Sequence, residues 1–202
     1  MENNKCFNYG SPIYHNLKKS CDPEDILSLG LRYKKIYKVK IRKKIKYLVE
    51  IYYYENIAFV KFYPKLHENN PDKYKLVGMD LTFSEKRMLL NTCCDIVSKE
   101  IEKSPEIIYS FIAQVYDRDN EKEREMSIRF SVYRKIVTTL FKISLYHHFN
   151  IEEINFYCIS KKENKNFNQN LGEFLATAME RKENIVFEFM TDRTRCQFIS
   201  PD

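Results

Sequence analysis

Glycine and proline are scarce, at 4 and 6 residues in 202, which leaves little material for flexible linkers. The same scarcity argues against the glycine-rich cradles that hold phosphates at helix starts. No stretch approaches the ~20 consecutive apolar residues of a membrane helix. Met1 to Cys6 has no apolar core behind a basic start, so it does not read as a secretory signal. With neither address nor anchor in view, the expected location is cytoplasmic and no membrane partner is expected.

Metal and cofactor signatures are missing too. The six cysteines, at 6, 21, 93, 94, 158 and 196, contain no C-x-x-C pair. His15, His67, His147 and His148 do not complete a zinc spacing either. We therefore expect no metal and no cofactor, and reduced, partly buried thiols at Cys93 and Cys94. There is no Gly-x-Ser-x-Gly, no His-Glu-x-x-His and no P-loop, so no residue is nominated as catalytic. A site assembled from distant residues would leave no such local trace.

What is present is globular. Apolar residues make up 44% and charged residues 31%, well away from the composition of a disordered chain. The length suits one domain spanning 1–202, with 1–31 as an irregular lead-in around Pro12 and Pro23. Abundant Lys, Ile, Asn and Tyr point to AT-rich coding, as in a bacterium or phage, and weaken any argument from lysine or tyrosine counts alone.

Residues 33–63 read as β-structure, with 47–54 and 57–63 forming a hairpin about Glu55-Asn56. A helix follows. Thr82 and Glu85 have capping-box spacing, and Ser104-Pro105 ends it. Leu89, Cys93, Ile96 and Glu100 form one row of that helix, with Leu90, Cys94, Val97 and Ile101 beside it. Residues 107–116 suit a central strand, and 117–125 form a charged connection. A second helix is expected over about 126–145, placing Phe130, Tyr133, Val137 and Phe141 in the core. Then come a strand at 154–160, a helix at 168–181 and a last strand at 185–190. The expected fold class is α+β: a mixed, mainly antiparallel sheet, an N-terminal β-meander followed by α-β-α-β-α-β, with helices packed on it.

This order resembles the acetyltransferase fold of the GNAT superfamily, which also joins a β-meander to strand–helix units. That family holds its cofactor on a Q/R-x-x-G-x-G/A pattern, and this chain lacks it. The resemblance implies a related scaffold, with the missing pattern speaking against acetyl-CoA chemistry. It also defines one reading of function, an enzyme with a dispersed site on an acyltransferase-like scaffold.

The most unusual chemistry lies at 32–46, which holds nine positive charges and no acid. The whole chain carries +6 and this stretch +9, so the remainder is net −3. Lys34, Lys38, Lys40, Arg42, Lys44 and Lys46 share one parity, and Tyr37, Val39, Ile41 and Ile45 the other. In a strand these become a cationic face and an apolar face. A turn near Arg42-Lys43-Lys44 would fold the row into a two-stranded basic ribbon. Either form matches the regular charge of a phosphate backbone. Lysine-rich outer faces also keep edge strands from pairing, with no ligand involved. Tyr52, Tyr53 and Tyr54 are candidates to stack on bases, although alternation must turn at least half of them inward.

Two other groups were weighed. His147-His148, expected near a helix C-terminus, suits free carbonyls there better than one shared metal. Arg129, Tyr133 and Arg134 form a polar cluster beside the charged connection. The functional expectation is a non-catalytic accessory protein that contacts a polyanion, nucleic acid or a nucleoprotein complex, through its basic strand face. The alternatives are the dispersed-site enzyme and a protein-interaction subunit with an acidic partner.

Overall fold

The computed structural model describes residues 6–15, 32–74, 76–113 and 128–180. Among these residues seven strands form one sheet: β1 (Ile13–His15), β2 (Tyr33–Lys40), β3 (Lys46–Tyr53), β4 (Ile57–Pro64), β5 (Ile108–Ile112), β6 (Tyr146–Ile151) and β7 (Phe156–Lys161), in the order β1-β2-β3-β4-β5-β7-β6. The described helices that pack on it are α1 (Phe83–Lys103), α2 (Ile128–Leu140) and α3 (Phe167–Glu180). All neighbouring strands are antiparallel except β4 and β5. This is the α+β fold that the alternation of periods predicts.

The strand alternation explains the layers. Tyr37 and Val39 of β2, with Tyr47, Val49 and Ile51 of β3, lie in the core that α1 and α2 close. On the opposite face Phe59, Ile108, Phe156 and Cys158 lie beneath Leu171 and Leu175 of α3. Ile96 and Ile101 of α1 are wholly buried, and each stabilises the fold by roughly 1.5–3 kcal/mol through that burial. Phe130 and Phe141 are also buried, while Tyr133 and Val137 are only half-buried.

The start of α1 follows its sequence signal. Thr82 caps it, its backbone N–H donating to the Glu85 carboxylate at 2.9 Å. Cys93 is buried and Cys94 half-buried, and both are free thiols. Burial pushes the Cys94 pKa up to about 12.

Three expectations change. The second helix ends at Leu140, five residues early, and His147-His148 lie in strand β6 rather than at a helix end. The apolar spacing from Phe130 to Phe141 runs on in helical phase, but β7 pairs with His147 and His148 through Ser160 and Ile159. An edge strand takes its identity from its partner, and sequence does not display partners. The lead-in is also not wholly irregular, because Ile13, Tyr14 and His15 pair with Ile36, Lys35 and Lys34. The expected last strand at 185–190 and the charged connection at 117–125 lie outside the described residues.

Candidate polyanion interface and the charge networks beneath it

Strands β2 and β3 run antiparallel from Tyr33 opposite Tyr53 to Lys40 opposite Lys46. The chain bends at residues 42–44, and Ile41 donates its N–H to the Ile45 carbonyl at 3.0 Å. The basic stretch is therefore a two-stranded ribbon with its most cationic part at the tip, not one unbroken row. Lys38, Lys40, Lys43, Lys44 and Lys46 are all exposed and form no ion pair among the described residues. Lys40 and Lys46 face each other across the strands. Like charges directly opposite destabilise a sheet.

The other cations of the stretch are neutralised. Arg42 makes a two-pronged hydrogen bond to Glu85 and joins the tip to the start of α1. Its guanidinium, with the Thr82 donors, holds the Glu85 pKa at about 2. Lys34 is half-buried, its Nζ 3.2 Å from Glu50 Oε1. Arg32, at the far end, pairs with Glu55 at 2.9 Å. Of the six lysine and arginine positions expected to bind, four therefore stay open (Lys38, Lys40, Lys44, Lys46) and two (Lys34, Arg42) are committed within the fold. Ile36 interrupts the cationic parity as well, buried with Leu48 and Tyr63.

Beneath the ribbon lie two carboxylate networks, one on each face. Glu50 is 1% exposed and accepts from Tyr52 Oη at 2.6 Å and Tyr63 Oη at 3.0 Å, besides Lys34. Glu100 is equally buried. It accepts from Tyr53 Oη at 2.6 Å, Tyr37 Oη at 2.9 Å and Lys103 Nζ at 2.8 Å, and pairs with buried Lys35. Burial alone would raise the Glu100 pKa, but the donors from Lys103, Lys35, Tyr53 and Tyr37 outweigh it and hold it at about 2. Burial, and then the carboxylates, push Tyr52 and Tyr53 well above the ordinary tyrosine value. The Tyr109 hydroxyl, on the Tyr53 side, is buried without a hydrogen bond of good geometry.

Neither network was named as a site from sequence. The signal was present: Glu100 sits on an apolar row of α1, and Glu50 sits in a run of Tyr, Ile and Val. A carboxylate at a core position demands donors, because burying it unpaired is prohibitive. Burial takes Tyr53 and Tyr54 out of reach of bases, and Tyr52 is half-buried with its hydroxyl on Glu50.

A second feature lies at the centre of the sheet. The parallel pair β4–β5 is in register only from Ile57–Ile108 to Phe59–Ser110. Beyond it β4 runs on to Pro64 and β5 to Ile112, and the strands part. A cavity of about 80 Å³ opens in the gap, lined by Lys61, Phe62, Tyr74, Phe111, Arg129 and Tyr133. Arg129 is held there by the carbonyls of Tyr74 and Val77, at 3.3 and 3.1 Å. Arg134 pairs with Glu152. His148 Nδ1 lies 2.7 Å from Tyr157 Oη, and His147 stacks on Phe167. These side chains act as ties between elements.

Among the described residues no cluster of His, Cys, Asp or Glu is arranged to hold a metal, and no helix is long and apolar enough to cross a membrane. No family model, curated protein or solved structure matches this chain.

Proposed function

We propose that this chain is a non-catalytic accessory module that holds a nucleic-acid backbone against the tip of the β2–β3 hairpin. The observation that carries the reading is the Lys40–Lys46 cross-strand pair, which has no counter-ion among the described residues while Glu50, Glu85 and Glu100 serve other cations. Lys38, Lys43 and Lys44 extend the unpaired charge around the same tip. A polyanion supplies the missing counter-charge and relieves the repulsion. Lysines meet phosphates as point charges, so the binding is largely independent of sequence.

Retention of duplex DNA at low salt, titrated by fluorescence anisotropy, tests this. Five neutralised phosphates give a slope of log affinity on log salt of about −4 to −5. Lys40→Glu, Lys44→Glu and Lys46→Glu together should abolish retention with an unchanged circular dichroism spectrum. No retention of DNA or RNA by the parent protein sinks the proposal and turns the tip toward an acidic protein. Retention surviving the triple reversal places the contact elsewhere.

One observation favours a second reading, the dispersed-site enzyme on an acyltransferase-like scaffold. The short parallel register of β4 and β5 leaves a gap toward the carboxyl ends of both strands, the usual ligand position in open α/β sheets. The α1 N-terminus itself offers no open anion site, since the Glu85 carboxylate caps it. A thermal shift with acetyl-coenzyme A separates the two readings.

A further inference from the structure

Helices α1 and α2 do not close completely over the sheet. Between them runs a cleft of about 650 Å³, of the size that encloses a ligand or an inserted side-chain cluster. Its walls expose large apolar groups to water: Phe83 is 83% exposed, Ile128 51% and Val132 45%. Such a contiguous patch marks an interaction site more often than it serves the fold. Among the described residues, every charged side chain that lines the cleft is basic, namely Lys86, Arg87, Arg129 and Lys135. Arg129 is committed to loop carbonyls, and the Lys86 stem lies against Gly78, so two of these cations are placed by the fold.

We propose that this cleft receives an acidic amphipathic helix of a partner protein. Charge complementarity chooses the sign, since an apolar floor flanked by Lys86 on α1 and Lys135 on α2 matches apolar anchors flanked by Glu or Asp. Geometry chooses the form. Ile128, Val132 and Ile136 succeed each other four residues apart along α2, and Phe83, Arg87 and Leu90 follow helical spacing along α1. A helix laid between two such ridges meets them with anchors at i, i+3, i+4 and i+7. The 13 residues of α2 span about 20 Å, room for some four turns of the incoming helix. A nucleic-acid backbone has no group to cover Phe83 or Val132, so the partner of this cleft differs from that of the hairpin tip.

The test uses the full chain and a fluorescent 15-residue model helix with Leu at the anchor positions and Glu elsewhere. A second peptide replaces each Glu by Lys, and dodecanoate stands for an anionic acyl chain. The Glu peptide should bind saturably and at least tenfold more tightly than the Lys peptide. Val132→Asp, and separately Lys86→Glu with Lys135→Glu, should each weaken it at least tenfold. Both changes lie on exposed positions, and circular dichroism checks the fold. The hairpin variant Lys40→Glu with Lys44→Glu should bind the peptide as the parent does, whether or not the nucleic-acid proposal holds. Equal binding of the Lys peptide, no saturable binding, or loss of binding in the hairpin variant would each overturn the proposal. Saturable dodecanoate binding without peptide binding would assign the cleft to an acyl chain instead.

Discussion

The two ends of the β2–β3 ribbon are built from the same residue types and do opposite things. At the sheet end, Lys34 and Lys35 are drawn into the fold by Glu50 and Glu100, one on each face. At the tip, Lys38, Lys40, Lys43, Lys44 and Lys46 stand in water and pair with no acid among the described residues, Glu85 there being held by Arg42. The difference is not in the lysines. It lies in what covers them: α1 brings Glu100 over one face and Tyr63 and Tyr74 flank Glu50 on the other, while nothing described roofs the tip. A lysine with a low-dielectric roof needs a partner to exist there, whereas a lysine in water is screened and cheap.

The sharpest way to break this comparison is to remove a roofed partner. Glu100→Leu should destabilise the fold by ~3–5 kcal/mol in a denaturant titration, because buried Lys35, Tyr37 and Tyr53 all lose the carboxylate they donate to. Lys44→Gln at the tip should stay within about 0.5 kcal/mol of the parent. Similar effects for the two would show that burial does not distinguish the ends.

Next in size is the rescue. Lys35→Met added to Glu100→Leu should recover ~1–3 kcal/mol of the loss, since the buried ammonium is removed together with the carboxylate that balanced it. A double variant as unstable as the single one would mean that the tyrosine hydroxyls, not Lys35, carry the cost.

Acid sharpens the contrast further. The Glu100 and Glu85 carboxyls both sit at about 2 in the folded protein, below the ordinary value of 4.5. A depressed carboxyl stabilises the fold fully above its unfolded value and loses that contribution as the pH falls toward the folded one. Stability should therefore drop between pH 4.5 and 2, and the drop should be shallower in Glu100→Gln. An unchanged acid limb in that variant would remove Glu100 from the account.

The smallest effect is expected at the tip and has the opposite sign. Lys40→Glu replaces a like-charged cross-strand pair by an attractive one and should stabilise the hairpin by ~0.2–1 kcal/mol. The same change should weaken nucleic-acid retention. A residue that costs stability and supports binding is the pattern expected of an interface. If Lys40→Glu stabilises without touching retention, the tip lysines only guard an edge.

Much of this molecule follows from the sequence alone. Thr82, Glu85 and Ser104-Pro105 set the ends of α1, because capping is satisfied within a few residues. Period-two alternation at 33–40 and 46–53 sorted the side chains onto the two faces of the ribbon, since a strand offers no third direction, though Ile36, Leu48 and Glu50 show that both faces are buried toward the sheet end. Tertiary structure decided the rest. The pairing with β7 made 146–151 a strand, and adjacency across 65 residues of chain brought Glu100 to Lys35. The same adjacency turned Arg42 onto Glu85 and left Lys40 and Lys46 open. Local signals report what a residue can satisfy by itself; the partner of a buried charge is chosen by packing, and packing is a property of the whole chain.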